Sequence, residues 1–353
     1  MTGPRISTEY TYRGIDVAFL ENEALRIKVL TGKGGDIVEF RDKRTDVDVL
    51  WETPHNWTPP ADRYVPSMVE TTWNDHYPGG WNLNLPVAGA GWEFPGNAYC
   101  QHGESSLLPW DAEVVRDDDE AVTLRLSTEL VRYPFYVERD LTLPAGDSHL
   151  EIEESITNRG GFELEYDWQQ HVTLGAPLLS SDARLDIPAE TGVNSPYGDS
   201  FPNARLEGGV TYDWPHSPGA DGDTVDLREI PPEDSTIHDQ SFAVDLKEGW
   251  YALTNPELDL GFGLRFPRDP FECVWYWQPF GGYHESPWFN RNYNVGLEPT
   301  TSYPAPDDRD DGQMETIGPG ETVEASYTAV TYGGLESVDS VDYEGNVEGS
   351  RLE

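Results

Sequence analysis

The sequence predicts an all-β protein, a large antiparallel β-sandwich of two stacked sheets, and three observations point there. Apolar residues alternate with polar ones at period two, helical periodicity is nearly absent, and 34 Gly and 28 Pro punctuate many short runs. The first clear strand holds Leu25, Ile27 and Val29 with Arg26 and Lys28 between them, followed by a turn at Gly34-Gly35. A second holds Val122, Leu124 and Leu126 on one face, after the turn signal of Asp117 to Glu120. Turns follow at Pro144 to Asp147 and at Asn158-Arg159-Gly160-Gly161. The clearest alternation is Leu258, Leu260, Phe262, Leu264, Phe266. Such strands bury one face, and stacked sheets are the economical way to do it. Two loop-like regions, 52–98 and 178–238, interrupt the strands and are rich in Pro, Gly, Asn and aromatics; loops this long in a compact domain are usually functional. The expected organisation is one domain over 1–333 and a solvated, flexible acidic tail over 334–353.

Composition narrows the function classes. There are 65 Asp and Glu against 23 Lys and Arg, a net charge of −42, and only four lysines: Lys28, Lys33, Lys43 and Lys247. A dispersed acid excess with lysine depleted fits a salt-rich cytoplasm, where screening removes self-repulsion. It argues against nucleic acid and anionic membranes as partners, since both need a basic surface. Cys100 and Cys273 are too few and too far apart for a disulfide framework or a zinc site. No apolar leader and no run of 18 apolar residues is present, so a soluble cytoplasmic protein is expected.

The alternation also sorts polar residues by face. In GFELEYDWQQHVTLGAP, Phe162, Leu164, Tyr166, Trp168, Val172 and Leu174 share one side; Asp167, Gln169, His171 and Thr173 share the other. In FNRNYNVGLEPTT, Asn292, Asn294 and Glu298 oppose Tyr293, Val295 and Leu297. A His and a Glu thus stand among amides at strand ends. Amides and carboxylates bond hydroxyls, and Trp275 and Trp277 in FECVWYWQPF are placed to stack on a ring, which suits a neutral polyol.

These residues carry a resemblance. HGE at 102–104 leading into LLPW, the strand His171, and GLEPTTSYP at 296–304 resemble sugar-contacting signatures of the aldose 1-epimerase (galactose mutarotase-like) superfamily. NEALRIKVLTGKGGDIVEFRDKRTDVDVLW is similar to that family's first strands, and GGWNLNLPVAGAG and PWFNRNYNVGLEPTTS look closer to a less-characterised branch. The resemblance spans roughly residues 15 to 332. It implies a galactose mutarotase-like supersandwich that interconverts sugar anomers, with Glu298 as general base, His171 as general acid to the ring oxygen, and His102 bonding the substrate beside that oxygen. Trp81, Asn82, Glu104, Gln169, Trp275, Trp277, Asn294 and Arg291 would line the sugar, with no metal or cofactor, in a monomer or homodimer. Two departures bear on which sugar: Val172-Thr173-Leu174-Gly175 follows the acid His where the galactose enzymes carry a Pro-Tyr-Phe-Asn-like run, and Trp81-Asn82 stands where they carry an Arg. His76 and His284 sit on aromatic, Gly-rich loops that could wall the pocket.

Two rivals remain open. One is a non-catalytic carbohydrate-binding module using Trp81, Trp275 and Trp277. The other is a glycan-cleaving enzyme whose Glu104 and Glu298 would have to lie ~5–5.5 Å apart for retention or ~6.5–9.5 Å for inversion. The charge reading has its own test. Dilution from molar salt to about 0.1 M lengthens the Debye length from ~3 to ~10 Å and lets the acids repel, so the melting temperature should fall; thermal unfolding at the two ionic strengths measures it.

Overall fold

The computed structural model describes residues 3–55, 57, 59–60, 72–91, 93–94, 97–305 and 312–352. Nearly every regular element is a strand, and helix is confined to pieces such as Thr72–Asp75. No helix among the described residues is long and apolar enough to cross a membrane. The chain forms two compact units, Met1–His171 with Met314–Thr328, and Val172–Gln313 with Ala329–Glu353.

In the first unit, Arg5–Tyr12, Ile15–Glu21, Leu25–Leu30 and Asp36–Asp42 form an antiparallel meander, and Trp81–Asn84 adds beside Asp36–Asp42 through Ile37 opposite Trp81. A second meander runs through Asp111–Asp117, Ala121–Glu129, Phe135–Pro144 and His149–Asn158. Leu25, Ile27, Val122, Leu124 and Leu126 are fully buried, as their alternation requires. Each such side chain withdrawn from water contributes about 1.5–3 kcal/mol. The two meanders meet through long side chains. Arg139 of the second reaches over the Trp81 ring of the first, 5.2 Å from its centroid, and its Nε lies 2.9 Å from the Glu154 carboxylate.

In the second unit, Ala189–Asn194, Asp239–Leu246, Cys273–Gln278 and Asn294–Thr300 pair antiparallel in that order. Arg184–Asp186, Trp250–Asn255 and Leu260–Arg265 form another antiparallel run. The alternation read from Leu258 begins two residues later. Leu258 closes a 3-10 turn over Pro256–Leu258, where its N–H donates to the Asn255 side chain.

Three expectations are corrected. The stretch 178–238 is not a bare loop: it contains Arg184–Asp186, Ala189–Asn194, Thr211–Asp213 and the hairpin of His216–Pro218 with Thr224–Asp226. Of the stretch 52–98, residues 56, 58, 61–71, 92 and 95–96 lie outside the described residues, while Trp81–Asn84 within it is a buried strand. The acidic end is not a solvated tail. Leu335–Val341 and Val347–Arg351 form a hairpin whose Leu335, Val338 and Val341 pack on Trp250, Ala252 and Val330. The buried residues of this segment recur at every third position rather than every second, and register shifts between Leu335 and Ser337 and between Val338 and Ser340 return each of them to the packed face despite the intervening acids. Removing residues 334–353 should therefore lower the melting temperature and raise binding of a hydrophobic dye; calorimetry and dye fluorescence on the truncated chain would show this, whereas a solvated tail would leave both unchanged.

Candidate functional site

The segment HGESS is stitched to the end of Trp81–Asn84. The N–H groups of Glu104 and Ser105 donate to the Leu85 carbonyl at 2.9 and 3.3 Å, and Ser105 Oγ donates to the Leu83 carbonyl at 2.6 Å. Gly103 has φ +70°, and a Cβ there would stand 2.1 Å from the Leu85 oxygen, so only glycine allows this approach. His102 itself has φ 61°, uncommon for a non-glycine residue. The turn thereby delivers its ring to a buried position at 5% exposure.

His171 is the third residue of the buried strand Gln169–Gly175, within the strand rather than at its end. Its ring lies 5.0 Å from that of His102 at an interplanar angle of 74°. Trp73 and Tyr77, stacked at 4.2 Å, complete the enclosure: Trp73 is 4.3 Å from His102 and 5.2 Å from His171, and Tyr77 is 5.4 Å from His171. The Trp73 indole N–H donates to Ser106 Oγ at 2.8 Å, tying this wall back to the HGESS turn. On the same polar face, Asn84 donates to Gln169 Oε1 at 2.8 Å.

Burial sets the protonation of both rings. Desolvation, and secondarily the neighbouring His171, holds His102 well below the ordinary imidazole value, against a hydrogen bond with Gln169 that acts the other way. Desolvation brings His171 down to about 3. Geometry adds a reason at His102: the Gly89 N–H donates to its Nδ1 at 3.2 Å. A backbone N–H cannot be removed, so Nδ1 stays an acceptor and the ring proton sits on Nε2.

In the second unit, Glu298 lies in the buried strand Asn294–Thr300, opposite Trp275, at 2% exposure. Desolvation raises its carboxyl well above the ordinary range. Its Oε1 occupies the space of the missing side chain at residue 296, only 2.2 Å from where a Cβ would stand. Gly296 pairs with Trp277, which packs 5.6 Å from Trp288 and 6.3 Å from Tyr283. Asn292 and Asn294 are fully buried, and none of their amide atoms finds a hydrogen-bond partner among the described residues. Trp275 is 8% exposed and its indole N–H donates to the Ser302 carbonyl at 2.7 Å.

Other expected residues have different work. Trp81 is fully buried on the face opposite Asn82, and its indole N–H donates to Gln170 Oε1 at 2.8 Å, so it is a core residue rather than a stacking platform. Glu104 Oε1 accepts from the backbone N–H groups of Arg132 and Tyr133 at 2.8 and 3.1 Å. Arg291 donates to the carbonyls of Trp288 and Pro287, both at 3.0 Å, bracing its own loop. His76 is buried and His284 exposed. Trp73, Tyr77, Asn84 and Gly296 were not singled out in the sequence. Only Gly296 carried a local signal, two residues before Glu298 on the same face.

Solved structures of similar architecture identify the fold. A candidate aldose 1-epimerase from Klebsiella pneumoniae subsp. pneumoniae is similar in structure, with a TM-score of 0.71 and 16% identity over 94% of this chain and 83% of its own. A galactose mutarotase-like protein from Clostridium acetobutylicum gives a TM-score of 0.66 at 12% identity, over 94% and 100%. The Slr1438 protein from Synechocystis sp. PCC 6803 gives 0.61 at 18% identity, over 94% and 98%. At these identities the likeness is one of fold, and the fold is all-β and galactose mutarotase-like. The chain itself belongs to the family described as a domain of unknown function, DUF4432, which matches residues 12–330. No curated protein matches the sequence.

The histidine shifts have a measurable consequence. Unfolded imidazoles protonate near 6.5, whereas folded His171 resists until about 3 and His238, buried by Phe201 and Tyr283, until about 4. Between those values the unfolded chain binds more protons, so stability should fall as pH drops below ~6.5. Denaturant midpoints at pH 7 and pH 5 measure the loss, and His171→Asn should shrink it.

Proposed function

We propose that the protein is an aldose 1-epimerase-like isomerase that opens and recloses the ring of an aldose or aldose derivative. The observation that carries this reading is the pair of buried, neutral histidines in ring contact on an amide-bearing strand face. Glu298, when ionised, takes the proton of the anomeric hydroxyl while His171 returns one to the ring oxygen. The C1–O bond to the ring oxygen then breaks, the aldehyde turns about C1–C2, and closure on its other face returns both protons. His102, fixed as an Nε2–H donor, holds the ring oxygen and the charge that develops there. Gln169, Asn292 and Asn294 supply hydroxyl contacts, and Trp277 a wall for the C–H face.

Burial favours the uncharged arrangement, with the proton on Glu298 and His171 neutral. This contains the same number of protons as the ionised Glu298 with a cationic His171, so the working form is reached by moving a proton rather than by gaining or losing one. Some residues of the two rival readings have other partners. A binding module would use Trp81, Trp275 and Trp277; the indole N–H groups of the first two donate to Gln170 and Ser302, which leaves Trp277 for stacking. Glycan cleavage would need Glu104, one of whose oxygens holds the 132–133 backbone.

The test is anomer exchange, followed by NMR across a panel of aldoses in high salt. Glu298→Gln should lower the exchange rate by ~100-fold or more with binding largely retained, and His102→Asn should weaken binding and rate together. The parent profile should lack an acid limb between pH 5 and 8 and fall only on the alkaline side, as the raised Glu298 carboxyl loses its proton. Exchange by Glu298→Gln as fast as by the parent would remove the carboxylate from the mechanism.

A further inference from the structure

We propose that Lys33, Asp36 and Asn82 form a hydroxyl-binding subsite, which takes a ring hydroxyl of a neutral aldose away from the anomeric carbon. The proposal deepens the function above and rests on it. Asp36 opens the strand Asp36–Asp42, and because Ile37 stands opposite Trp81 in antiparallel register, Asp36 comes beside Asn82. Asn82 and Asn84 share the face that meets Gln169, so Asp36 belongs to the polar face of the histidines and not to the core.

Lys33 and Asp36 are 1% and 0% exposed. The Lys33 ammonium donates to Asp36 Oδ2 and, at 2.8 Å, to the Ser106 carbonyl. Ser106 Oγ is the atom that receives the Trp73 indole. One side of the Asp36 carboxylate is thus committed to holding the wall of the histidine enclosure. The other side is not: Oδ1 has no hydrogen-bond donor among the described residues. The Asn82 amide faces the same carboxylate, yet neither of its atoms closes a well-aligned hydrogen bond, and Asn84 Oδ1 is likewise left over.

A pure structural ion pair would be expected to satisfy both oxygens, because an unsatisfied buried acceptor is costly. A carboxylate oxygen beside an amide that can both donate and accept is the arrangement that receives a sugar hydroxyl. Gly34, with φ +71°, lets its backbone pack close to this oxygen: a Cβ there would stand 2.3 Å from Asp36 Oδ1. Lys33 is paired with Asp36, and Arg139, whose charge also acts on Asp36, is paired with Glu154, so an anionic substituent would meet the carboxylate with no unpaired cation beside it among the described residues, and the ligand is a neutral sugar. The strand of His171 is the second one over from that of Asp36, about 10 Å across the sheet at ~4.8 Å per strand. The two ends therefore address different parts of one ring.

The experiment is equilibrium binding by ligand-observed NMR, using glucose, galactose, mannose and their monodeoxy analogues. The variants are Asn82→Ala, which leaves the ion pair whole, and the double change Lys33→Met with Asp36→Leu, which removes both charges and avoids a buried unpaired one. The parent should bind at least one aldose and lose ~10-fold or more in affinity when one particular hydroxyl is missing. Both variants should lose most of that discrimination and bind the aldose and its deoxy analogue within about threefold, whatever happens to the melting temperature. Discrimination retained in either folded variant would overturn the subsite while leaving the proposed isomerase intact. A parent that binds no sugar of the panel would overturn both. Because binding is read without turnover, a catalytic failure at Glu298 does not imitate either result.

Discussion

The first unit depends on how Gln170 is held. It lies between Gln169 and His171, and it points the other way, into the core. There its Oε1 accepts from Trp81 and its Nε2 donates to Glu154 at 2.7 Å and to the Tyr327 hydroxyl at 3.1 Å. Glu154 also accepts from the Trp168 indole at 3.1 Å and pairs with Arg139. A charge pair this deep is weak evidence for net stability, but removing one partner typically costs ~3–5 kcal/mol because the other is left uncompensated. It therefore acts as a register lock. A strand slipped by one residue would send an imidazole to the carboxylate and an amide to the aromatic wall. With Gln170 fixed inward, Gln169 and His171 face outward together.

That outward face is dry, and the chemistry follows from its dryness. Two imidazoles whose centroids are 5.0 Å apart, against Trp73 and Tyr77, gain no solvent to support a positive charge. Both are held neutral, and the Gly89 N–H gives His102 one usable donor. Glu298 is shifted the opposite way by the same cause. Burial raises the proton affinity of Glu298 in the second unit and lowers that of His102 and His171 in the first. The polar groups around them are mainly amides, which bond hydroxyls without adding charge that would undo the shifts.

The fold was legible in the sequence because period two is a local signal. Leu25, Ile27, Val122, Leu124 and Leu126 announce their burial without reference to anything distant. The same parity placed His171 with Gln169, and Glu298 with Asn294, on faces opposite the apolar residues. It failed where one face is not uniformly polar or apolar. In Trp81–Asn84 all four residues are buried, so the tryptophan read as a sugar platform when its partner was Gln170, 89 residues away. Parity gave no signal in 335–351, where Leu335, Val338 and Val341 recur every third residue and two register shifts bring them to one face.

What the sequence determined by itself was strand content, the faces of the strands, and that His171 and Glu298 stand among amides. Those follow from backbone geometry and residue type. The tertiary structure decided the rest: that Trp73 and Tyr77 close around His102 and His171, that Glu104 holds the 132–133 backbone, and that the Lys33–Asp36 pair is tied through Ser106 to Trp73. These contacts bring together residues of different strands and turns, and the charge states of the buried groups depend on how much water the assembled walls exclude. Exclusion of water is a property of packing in three dimensions, and no local pattern of residues encodes it.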